Sequence, residues 1–508
     1  MKPTVHFDGA SEAAPTFFAR YQRAASALDE AGLGPGEVVA LMLHNEPVLL
    51  ELMLAARWLG ARWCMVNWHY KAREVNHILV DSGAKILVVQ ANLLAQIADG
   101  IPAGVRVFAV APEPATRRVF ELGDSALPLA GIESWAAFRD TRDRPPIAQR
   151  APGSAMLYTS GTTGLPKGIL RAPATPAQIE AGFAMGRTAL GIAPGMRALV
   201  SAPLYHAAPL SYIVQAALQD AEIWLEPRFD AARTLELIEQ HRITHLYLVA
   251  TMFQRLLRLP PEVRGRHKLG SVSFVASTGS PCAPQIKRRM IDWWGPVIHE
   301  AYAASELGYI THVDSHEALL KPGSAGRAMD GVQLKVLDDA GAEVPAGTVG
   351  TIYTRQAATP DFSYCNNAQA RIALERDGLW TLGDMGYLDD EGYLFIVDRK
   401  SDMVISGGVN IYPAEIEAVL VGMPGVADCA VFGIPDEEYG EALLAAVQPA
   451  DGAVLTAESV KAFLRERIAG YKVPRHVVFH AELPREETGK IYKRRLRDPY
   501  WAHLDRRV

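Results

Sequence analysis

The stretch YTSGTTGLPKG occupies residues 158–168, and its composition is that of an anion-binding loop. Gly161, Gly164 and Gly168 let the backbone take conformations closed to other residues and approach a ligand closely. Four Ser and Thr hydroxyls, the backbone amides and the ammonium of Lys167 suit a ligand with many anionic oxygens. The stretch therefore predicts a loop that binds a triphosphate.

This loop differs from the phosphate loop of the common nucleoside triphosphatases, which has a glycine, four residues and then Gly-Lys-Ser/Thr. Counted from Gly161, Pro166 takes the place of the second glycine, and Gly168 follows the lysine. The spacing therefore disfavours such a triphosphatase or a kinase. A polar turn between two elements stays the alternative for any single glycine-rich stretch.

The composition is that of a globular protein with more than one domain. The 508 residues are 49% hydrophobic and 21% charged, and the net charge of −6 gives no basic field for nucleic acid. The four cysteines lack a metal or redox spacing, and the first fifteen residues lack the apolar core of a signal peptide. The apolar region 38–66 carries four charged residues, which favours a buried strand and a core helix over a membrane span. We expect a cytoplasmic protein with no integral membrane segment. The oligomeric state stays open, and a homodimer is one of the alternatives.

Apolar runs alternate with helical patterns over most of the chain, which predicts an α/β protein. The predicted strands are 38–43, 85–89, 198–205, 245–250 and 272–277, and the predicted helices include 231–241 and 284–294. After Gly323 the pattern changes, and 331–355 predicts hairpins with turns at 338–341 and 345–347. A helix at 414–420 and a strand at 428–434 indicate a smaller α+β unit that begins near residue 400.

Four further motifs follow the loop in order: AYAASE (301–306), WTLGD (380–384), DRKSDMVISGGVNIYPAEIE (398–417) and PREETGKIYKRRLR (484–497). Together the five motifs resemble the acyl-adenylate-forming superfamily, which includes acyl- and aryl-CoA ligases, luciferases and the adenylation domains of peptide synthetases. The resemblance spans about residues 30–497. It implies a large N-terminal domain of layered sheets and helices at 1–398, a hinge at 399–402 and a small, mobile α+β C-terminal domain at 403–508.

The resemblance also implies a two-step reaction that uses ATP, Mg²⁺ and coenzyme A. A carboxylate first joins ATP to give an acyl-adenylate, mostly through positioning and charge neutralisation, because both partners are anionic. Glu306 would bind Mg²⁺, Tyr302 would stack near the adenine, and Asp384 and Arg399 would bind the ribose. The implied catalytic residues are Thr159, His206, Glu306 and Lys490. The implied residues for the nucleotide and coenzyme A are Ser160, Gly161, Thr162, Thr163, Gly164, Lys167, Ser280, Tyr302, Ser305, Asp384, Arg399, Gly407 and Gly408.

The implied second step passes the acyl group to a thiol after the small domain rotates. The rotation would remove Lys490, which contacts the reacting carboxylate and the α-phosphate in the first step, and bring in Gly407 and Gly408 beside the pantetheine arm. His206 would gate the acyl site. Ser401 departs from the family pattern, because the hinge residue is usually Asp or Lys. Lys400, which precedes it, would be the alternative hinge residue.

Each of these residues also has a simpler interpretation. Glu306 is compatible with a helix start, Asp384 with a turn and His206 with a structural histidine. Lys490 is compatible with a solvated lysine, an interpretation that fits Lys493, Arg494 and Arg495 better. Leu382 replaces a usual threonine, so a contact to the nucleotide is expected to be missing there.

The acyl pocket is expected among residues 205–214, 249–256, 280–284 and 303–312, which include many small side chains. No lysine or arginine is placed to bind a second carboxylate, so we expect a fatty or other largely apolar acid, as in the bacterial fatty-acid–CoA ligases that residues 66–85 resemble. An aryl or cinnamoyl-type acid is the alternative. Eleven residues follow Arg497, so we expect no carrier domain and favour coenzyme A as acceptor. An adenylating enzyme with another acceptor stays open, as does a non-catalytic nucleotide-binding homologue.

Overall fold

The computed structural model describes residues 2–123, 131–141, 144–159, 166–406, 409–485 and 491–502. Its helices are α1 Ala14–Glu30, α2 Pro47–Leu59, α3 Ala72–Ser82, α4 Leu94–Ile97, α5 Pro114–Val119, α6 Trp135–Asp140, α7 Pro176–Leu190, α8 Ala207–Leu218, α9 Ala231–His241, α10 Ala250–Arg258, α11 Pro261–Arg264, α12 Pro284–Trp294, α13 Ser315–Leu320, α14 Ala368–Ile372, α15 Pro413–Leu420, α16 Ala457–Arg465 and α17 Lys493–Trp501. Short 3₁₀ turns lie at Ala91–Leu93, Ala98–Gly100 and Gly470–Lys472. Within the described ranges, no helix is both long and apolar enough to cross a membrane.

The strands form four sheets. In chain order they are β1 Thr4–Phe7, β2 Ala10–Glu12, β3 Val38–Met42, β4 Arg62–Met65, β5 Ala84–Gln90, β6 Arg106–Val110, β7 Glu133–Ser134, β8 Ala155–Thr159, β9 Lys167–Arg171, β10 Arg197–Val200, β11 Glu222–Leu225, β12 His245–Tyr247, β13 Phe274–Thr278, β14 Ile298–Ala304, β15 Gly308–Val313, β16 Arg327–Ala328, β17 Val332–Leu337, β18 Gly350–Gln356, β19 Phe362–Tyr364, β20 Glu375–Arg376, β21 Leu379–Trp380, β22 Asp384–Leu388, β23 Leu394–Arg399, β24 Val404–Ser406, β25 Val409–Ile411, β26 Val426–Asp436, β27 Gly440–Pro449 and β28 His476–Phe479.

Two large sheets form most of the N-terminal part. One has the order β16-β15-β14-β13-β12-β10-β11-β1-β2, and the other has the order β19-β9-β8-β4-β3-β5-β6-β7. Their central strands run parallel, for example β3 beside β4 and β13 beside β14. Towards one end of each sheet the pairing becomes antiparallel, at β8–β9 and at β14–β15. The sequence motifs of the loop and of Glu306 lie at these two antiparallel connections.

Helix α2 is buried on nearly every side because most of its residues are apolar. Pro47 occupies its first turn, and Gly60 ends it with a left-handed φ of 74°, which glycine adopts without strain. The one carboxylate in this helix, Glu51, is fully buried and ion-paired with Arg20 at 2.5 Å and with Arg139 at 2.7 Å. Pairing of this kind is needed because an isolated buried charge is costly. Helix α2 is thus a core helix, as the charged residues of the segment 38–66 predicted.

Two smaller sheets follow. One has the order β20-β21-β18-β22-β23, with β17 against β18, and the other has the order β25-β24-β27-β26, with β28 against β27. The last sheet packs with α15 and α16 around its own apolar cluster, which includes Ile416, Leu420, Val431, Val447 and Val460. The fold is therefore of mixed sheets and helices, with a large N-terminal part and a small C-terminal one.

The predicted elements lie where the sequence patterns placed them, and two of the strands end three or more residues earlier than predicted. The helices 231–241 and 284–294 have the predicted bounds, and the predicted hairpin is β17–β18. The strand predicted at 198–205 ends at Val200, ahead of Pro203, which has no N–H for a sheet. The strand predicted at 245–250 ends at Tyr247, because Val249 is the N-cap of α10.

Candidate active site

The predicted triphosphate loop connects two antiparallel strands. Thr159 ends β8, Lys167 begins β9, and their Cα atoms face each other across the ladder. The Lys167 ammonium lies 5.4 Å from the centroid of the Tyr364 ring. The remaining predicted loop residues lie outside the described residues: Ser160, Gly161, Thr162, Thr163 and Gly164. The two ends of the loop are thus held together by the sheet.

Glu306 lies in the turn between β14 and β15, so the interpretation as a helix start is wrong. Its side chain is buried, and its Oε1 accepts hydrogen bonds from the Thr159 hydroxyl at 3.3 Å and from the Tyr364 phenol at 3.0 Å. Burial raises the pKa of the Tyr364 phenol, and the Glu306 carboxylate raises it further. The phenol therefore stays protonated and acts as a donor. Arg171 donates to the carbonyls of Ser305 at 2.5 Å and Glu306 at 3.1 Å, which fixes the turn. The fold therefore brings the loop and the Glu306 carboxylate together.

The groups around Glu306 suit a hard cation. Mg²⁺ is usually held by one or two carboxylates together with phosphate oxygens and water, and Glu306 with the Thr159 hydroxyl offers that kind of partial shell. Over the described ranges, no group of three or more His, Cys, Asp or Glu side chains could hold a metal ion. One carboxylate and one hydroxyl fit a cation that takes its other ligands from phosphate and water.

A second cluster joins three elements around Asp384. Asp384 begins β22 and is buried, and its Cα pairs with that of Arg399 in β23. The Tyr302 phenol donates to Asp384 Oδ2 at 2.6 Å, and Arg399 Nε donates to Oδ1 at 3.2 Å. Burial raises the pKa of Tyr302 well above its usual value, and the neighbouring charge of Asp384 adds to this rise. This buried, doubly hydrogen-bonded carboxylate is more than an ordinary turn residue, and it offers a rigid acceptor for vicinal hydroxyls.

We predict that Tyr302→Phe weakens ATP binding. Hydrogen bonds to charged groups contribute about 1.5–3 kcal/mol, so we expect the KM for ATP to rise about tenfold or more, while kcat falls less. Initial rates at varied ATP measure this effect. Tyr387→Phe is the control, because it removes only the hydroxyl of a ring that stacks on Phe395 in the sheet of Asp384 and Arg399. An unchanged KM would contradict a ribose-binding role for this cluster.

Helix α3 holds both ends of the triphosphate loop, which the sequence did not suggest. His77 Nε2 donates to the Pro166 carbonyl at 2.8 Å, since a carbonyl only accepts. The Tyr158 phenol donates to Asp81 Oδ2 at 2.8 Å, and Asn366 donates to Asp81 Oδ1 at 3.0 Å. His77 and Asp81 lie four residues apart, on one face of the helix. They are positioning residues for the loop.

We predict that His77→Ala raises the KM for ATP several-fold, because Pro166 loses the hydrogen bond that holds the end of the loop. His77→Gln should restore much of the affinity, since its amide can donate to the same carbonyl. ATP titrations of both variants test this, with His316→Ala, at an exposed histidine of α13, as the control. Equal losses in the Ala and Gln variants would argue against the positioning role.

The other predicted N-terminal residues surround these clusters. His206 is the N-cap of α8, and its ring centroid lies 4.3 Å from that of Tyr205. Ser280 follows β13 by two residues, and the carbonyl of Ser305 accepts from Arg171. Leu382, which replaces a usual threonine, packs with the apolar cluster around Phe362 and Trp380. The roles implied for these residues stay predictions.

The structure describes only some of the site residues predicted in the C-terminal part. Lys490, Gly407 and Gly408 lie outside the described residues. Lys493 is not a solvated lysine, because its ammonium pairs with Glu417 at 2.7 Å, a contact between α17 and α15 that the local sequence could not indicate. Lys400, next to the predicted hinge residue Ser401, pairs with Asp339 at 2.7 Å.

Comparison with known proteins identifies the class. Residues 6–359 match the family model described as AMP-binding enzyme, and residues 415–490 match that of the AMP-binding enzyme C-terminal domain. The first match covers well over half of the chain. This chain therefore belongs to the AMP-binding enzyme family, which confirms the resemblance to the acyl-adenylate-forming superfamily.

Two relatives and one solved structure show which members of the family this chain is similar to. An indoleacetate–CoA ligase from Aromatoleum aromaticum is 35% identical, over 93% of this chain and 90% of the relative. A long-chain-fatty-acid–CoA ligase from Mycobacterium tuberculosis is 32% identical, over 94% and 91% of the two chains. The ATP-bound structure of MatB from Rhodopseudomonas palustris superposes with a TM-score of 0.84, at 27% identity, over 98% of this chain and 96% of that one.

Proposed function

We propose that this protein is an ATP-dependent carboxylic acid–CoA ligase that forms an acyl-adenylate and then an acyl-CoA thioester. The contact between Thr159 and Glu306 carries the proposal, because it joins the triphosphate loop to a buried carboxylate 147 residues away. The cluster of Tyr302, Asp384 and Arg399 adds a site for a ribose. The CoA ligases among the relatives support the reaction class.

In the first step, a carboxylate oxygen of the acid attacks the α-phosphorus of ATP, and the bond to the bridging oxygen breaks to release pyrophosphate. Lys167 and the hydroxyls of 159–163 bind the β- and γ-phosphates, and Asp384 with Arg399 orients the ribose. Glu306 and Thr159 would hold Mg²⁺, which neutralises phosphate charge. Lys490 offsets the charge that develops at the α-phosphate.

In the second step, the coenzyme A thiol attacks the carbonyl carbon, and the bond to AMP breaks. We propose that residues 403–508 rotate about 399–402 relative to residues 1–398 between the two steps. The apolar cluster of the C-terminal sheet supports a unit that moves as one body. Gly407 and Gly408, between β24 and β25, would line the path of the thiol.

We propose that the acid is largely apolar. The relatives include an indoleacetate ligase and a fatty-acid ligase, so they do not decide between an aryl and a fatty acid. The predicted acyl-pocket segments include the small side chains of Ala207, Ala208 and Ala303. A cytoplasmic location and the oligomeric state stay predictions.

The proposal is tested with purified protein, Mg-ATP, coenzyme A and a pool of fatty, aryl and alicyclic acids. Mass spectrometry follows AMP and each acyl-CoA, with a matched reaction that lacks coenzyme A. We expect AMP and one class of thioester. Formation of an acyl-adenylate without a thioester would mean that the acceptor is a group other than coenzyme A. Formation of ADP in place of AMP would overturn the proposed chemistry.

A further inference from the structure

One buried asparagine joins the two large sheets where their parallel strands end. Asn45 follows β3, and its side chain is fully buried. Its Nδ2 donates to the carbonyls of Ala202 at 2.9 Å and Glu226 at 3.4 Å, and its Oδ1 accepts from the Leu204 amide at 3.0 Å. Ala202 and Leu204 follow β10, and Glu226 follows β11. A single amide thus ties together three strand ends, at the edge of a sheet where open α/β folds bind their ligands.

The segment that carries Asn45 is itself held by Gln90 at the end of β5. Gln90 Oε1 accepts from the His44 amide at 3.2 Å, and Gln90 Nε2 donates to Glu46 Oε2 at 3.0 Å. The other oxygen of Glu46 accepts from the Glu113 amide at 2.9 Å. Both neighbours of Asn45 in the chain therefore have hydrogen-bond partners, which fixes the point from which its amide reaches the other sheet.

The hydrogen bond to Leu204 connects Asn45 to the predicted acyl site through a single turn. The His206 amide donates to the Pro203 carbonyl at 3.3 Å, which closes a turn over residues 203–206. The Leu204 amide lies inside this turn and donates to Asn45. His206 ends the turn and is the N-cap of α8, so the orientation of the turn decides where its ring stands.

We infer that Asn45 is a positioning residue for the acid, because it sets the place of His206 at the acyl site through the turn 203–206. The inference rests on the proposed CoA ligase function. Without the amide, the backbone groups that it pairs with are left unpaired or take up water, and the turn shifts. A shift of about 1 Å beside reacting groups can lower a rate about 10²-fold. An asparagine with a merely structural role would change stability and leave the kinetics of the acid unaltered.

Asn45→Ala tests the inference, with the fatty, aryl or alicyclic acid that gives most thioester in the pooled reaction. We expect kcat/KM for the acid in pyrophosphate release to fall about tenfold to a hundredfold, while KM for ATP changes less than about twofold. In a double-mutant cycle, His206→Ala should lower kcat/KM by itself, and Asn45→Ala should lower it little further, because both changes act through one side chain. Asn45→Asp, which keeps an acceptor for Leu204 but has no donor for Ala202, replaces Asn45→Ala if that variant fails to fold.

Ser315→Ala is the matched control, because Ser315 is also fully buried and its hydroxyl bonds to the amide of Ile298 at 2.9 Å and to its carbonyl at 2.8 Å. Ile298 begins β14, at the end of the strand away from Glu306. This control should lose thermal stability and keep the wild-type kcat/KM for the acid. Wild-type kcat/KM in a folded Asn45 variant, an equal loss for ATP and acid, or additive losses with His206→Ala would overturn the inference and leave the ligase proposal intact. If the wild type forms neither AMP nor thioester from any acid, the ligase proposal is overturned, and this inference with it.

Discussion

Lys490→Ala is expected to lower the rate of acyl-adenylate formation about 10²–10³-fold, the usual cost of removing one group that stabilises transition-state charge. The same variant should form thioester from a supplied acyl-adenylate at a near wild-type rate. The reason is that Lys490 is proposed to leave the site when the C-terminal unit rotates. The two half-reactions are measured separately, as acid-dependent pyrophosphate release and as thioester formation from synthetic acyl-adenylate.

Lys461→Ala is the matched control, because Lys461 belongs to α16 of the same C-terminal unit and forms a loose pair with Glu458 at 3.9 Å. It should retain both half-reactions. Equal losses of both half-reactions in Lys490→Ala would contradict rotation between the steps.

Glu306→Gln is expected to reduce adenylate formation by a similar factor, about 10²–10³-fold. The amide keeps an oxygen that can accept from Thr159 and Tyr364, so the turn between β14 and β15 should survive, while the negative charge for Mg²⁺ is lost. The rate is measured over a range of Mg²⁺ concentrations, and we expect the variant to need more Mg²⁺ than the wild type.

Glu180→Gln, at an exposed carboxylate of α7, is the control for the loss of one negative charge. A Glu306→Gln enzyme with wild-type activity and wild-type Mg²⁺ dependence would show that this carboxylate does not bind the metal. A loss of both activity and thermal stability would instead assign Glu306 a structural role in the turn.

The parts of the fold that depend on local pattern could be predicted from the sequence. Helices 231–241 and 284–294 have clear amphipathic periods, and the hairpin at 331–355 has turn residues at both bends. Their bounds follow from contacts within a few residues along the chain. The class of the protein is also accessible from the sequence, because five motifs in order are far more specific than one.

The contacts that build the site could not be predicted, because they join distant parts of the chain. Nothing near Glu306 indicates that Tyr364 would donate to it, or that Arg171 would hold its backbone. The simpler interpretation of Glu306 as a helix start is wrong for the same reason, since β14 and β15 form their hairpin in the context of a larger sheet. The solvated position predicted for Lys493 is also wrong, because its partner Glu417 belongs to another helix.

The most direct test of the proposed chemistry follows oxygen from the acid into AMP. The reaction is run with an acid labelled with ¹⁸O at both carboxyl oxygens, Mg-ATP and coenzyme A, and the products are weighed by mass spectrometry. An acyl-adenylate route predicts AMP with one ¹⁸O and a thioester that keeps the other, because the carbon–oxygen bond to AMP breaks in the second step. Unlabelled AMP, or label in orthophosphate with ADP as the product, would contradict this route.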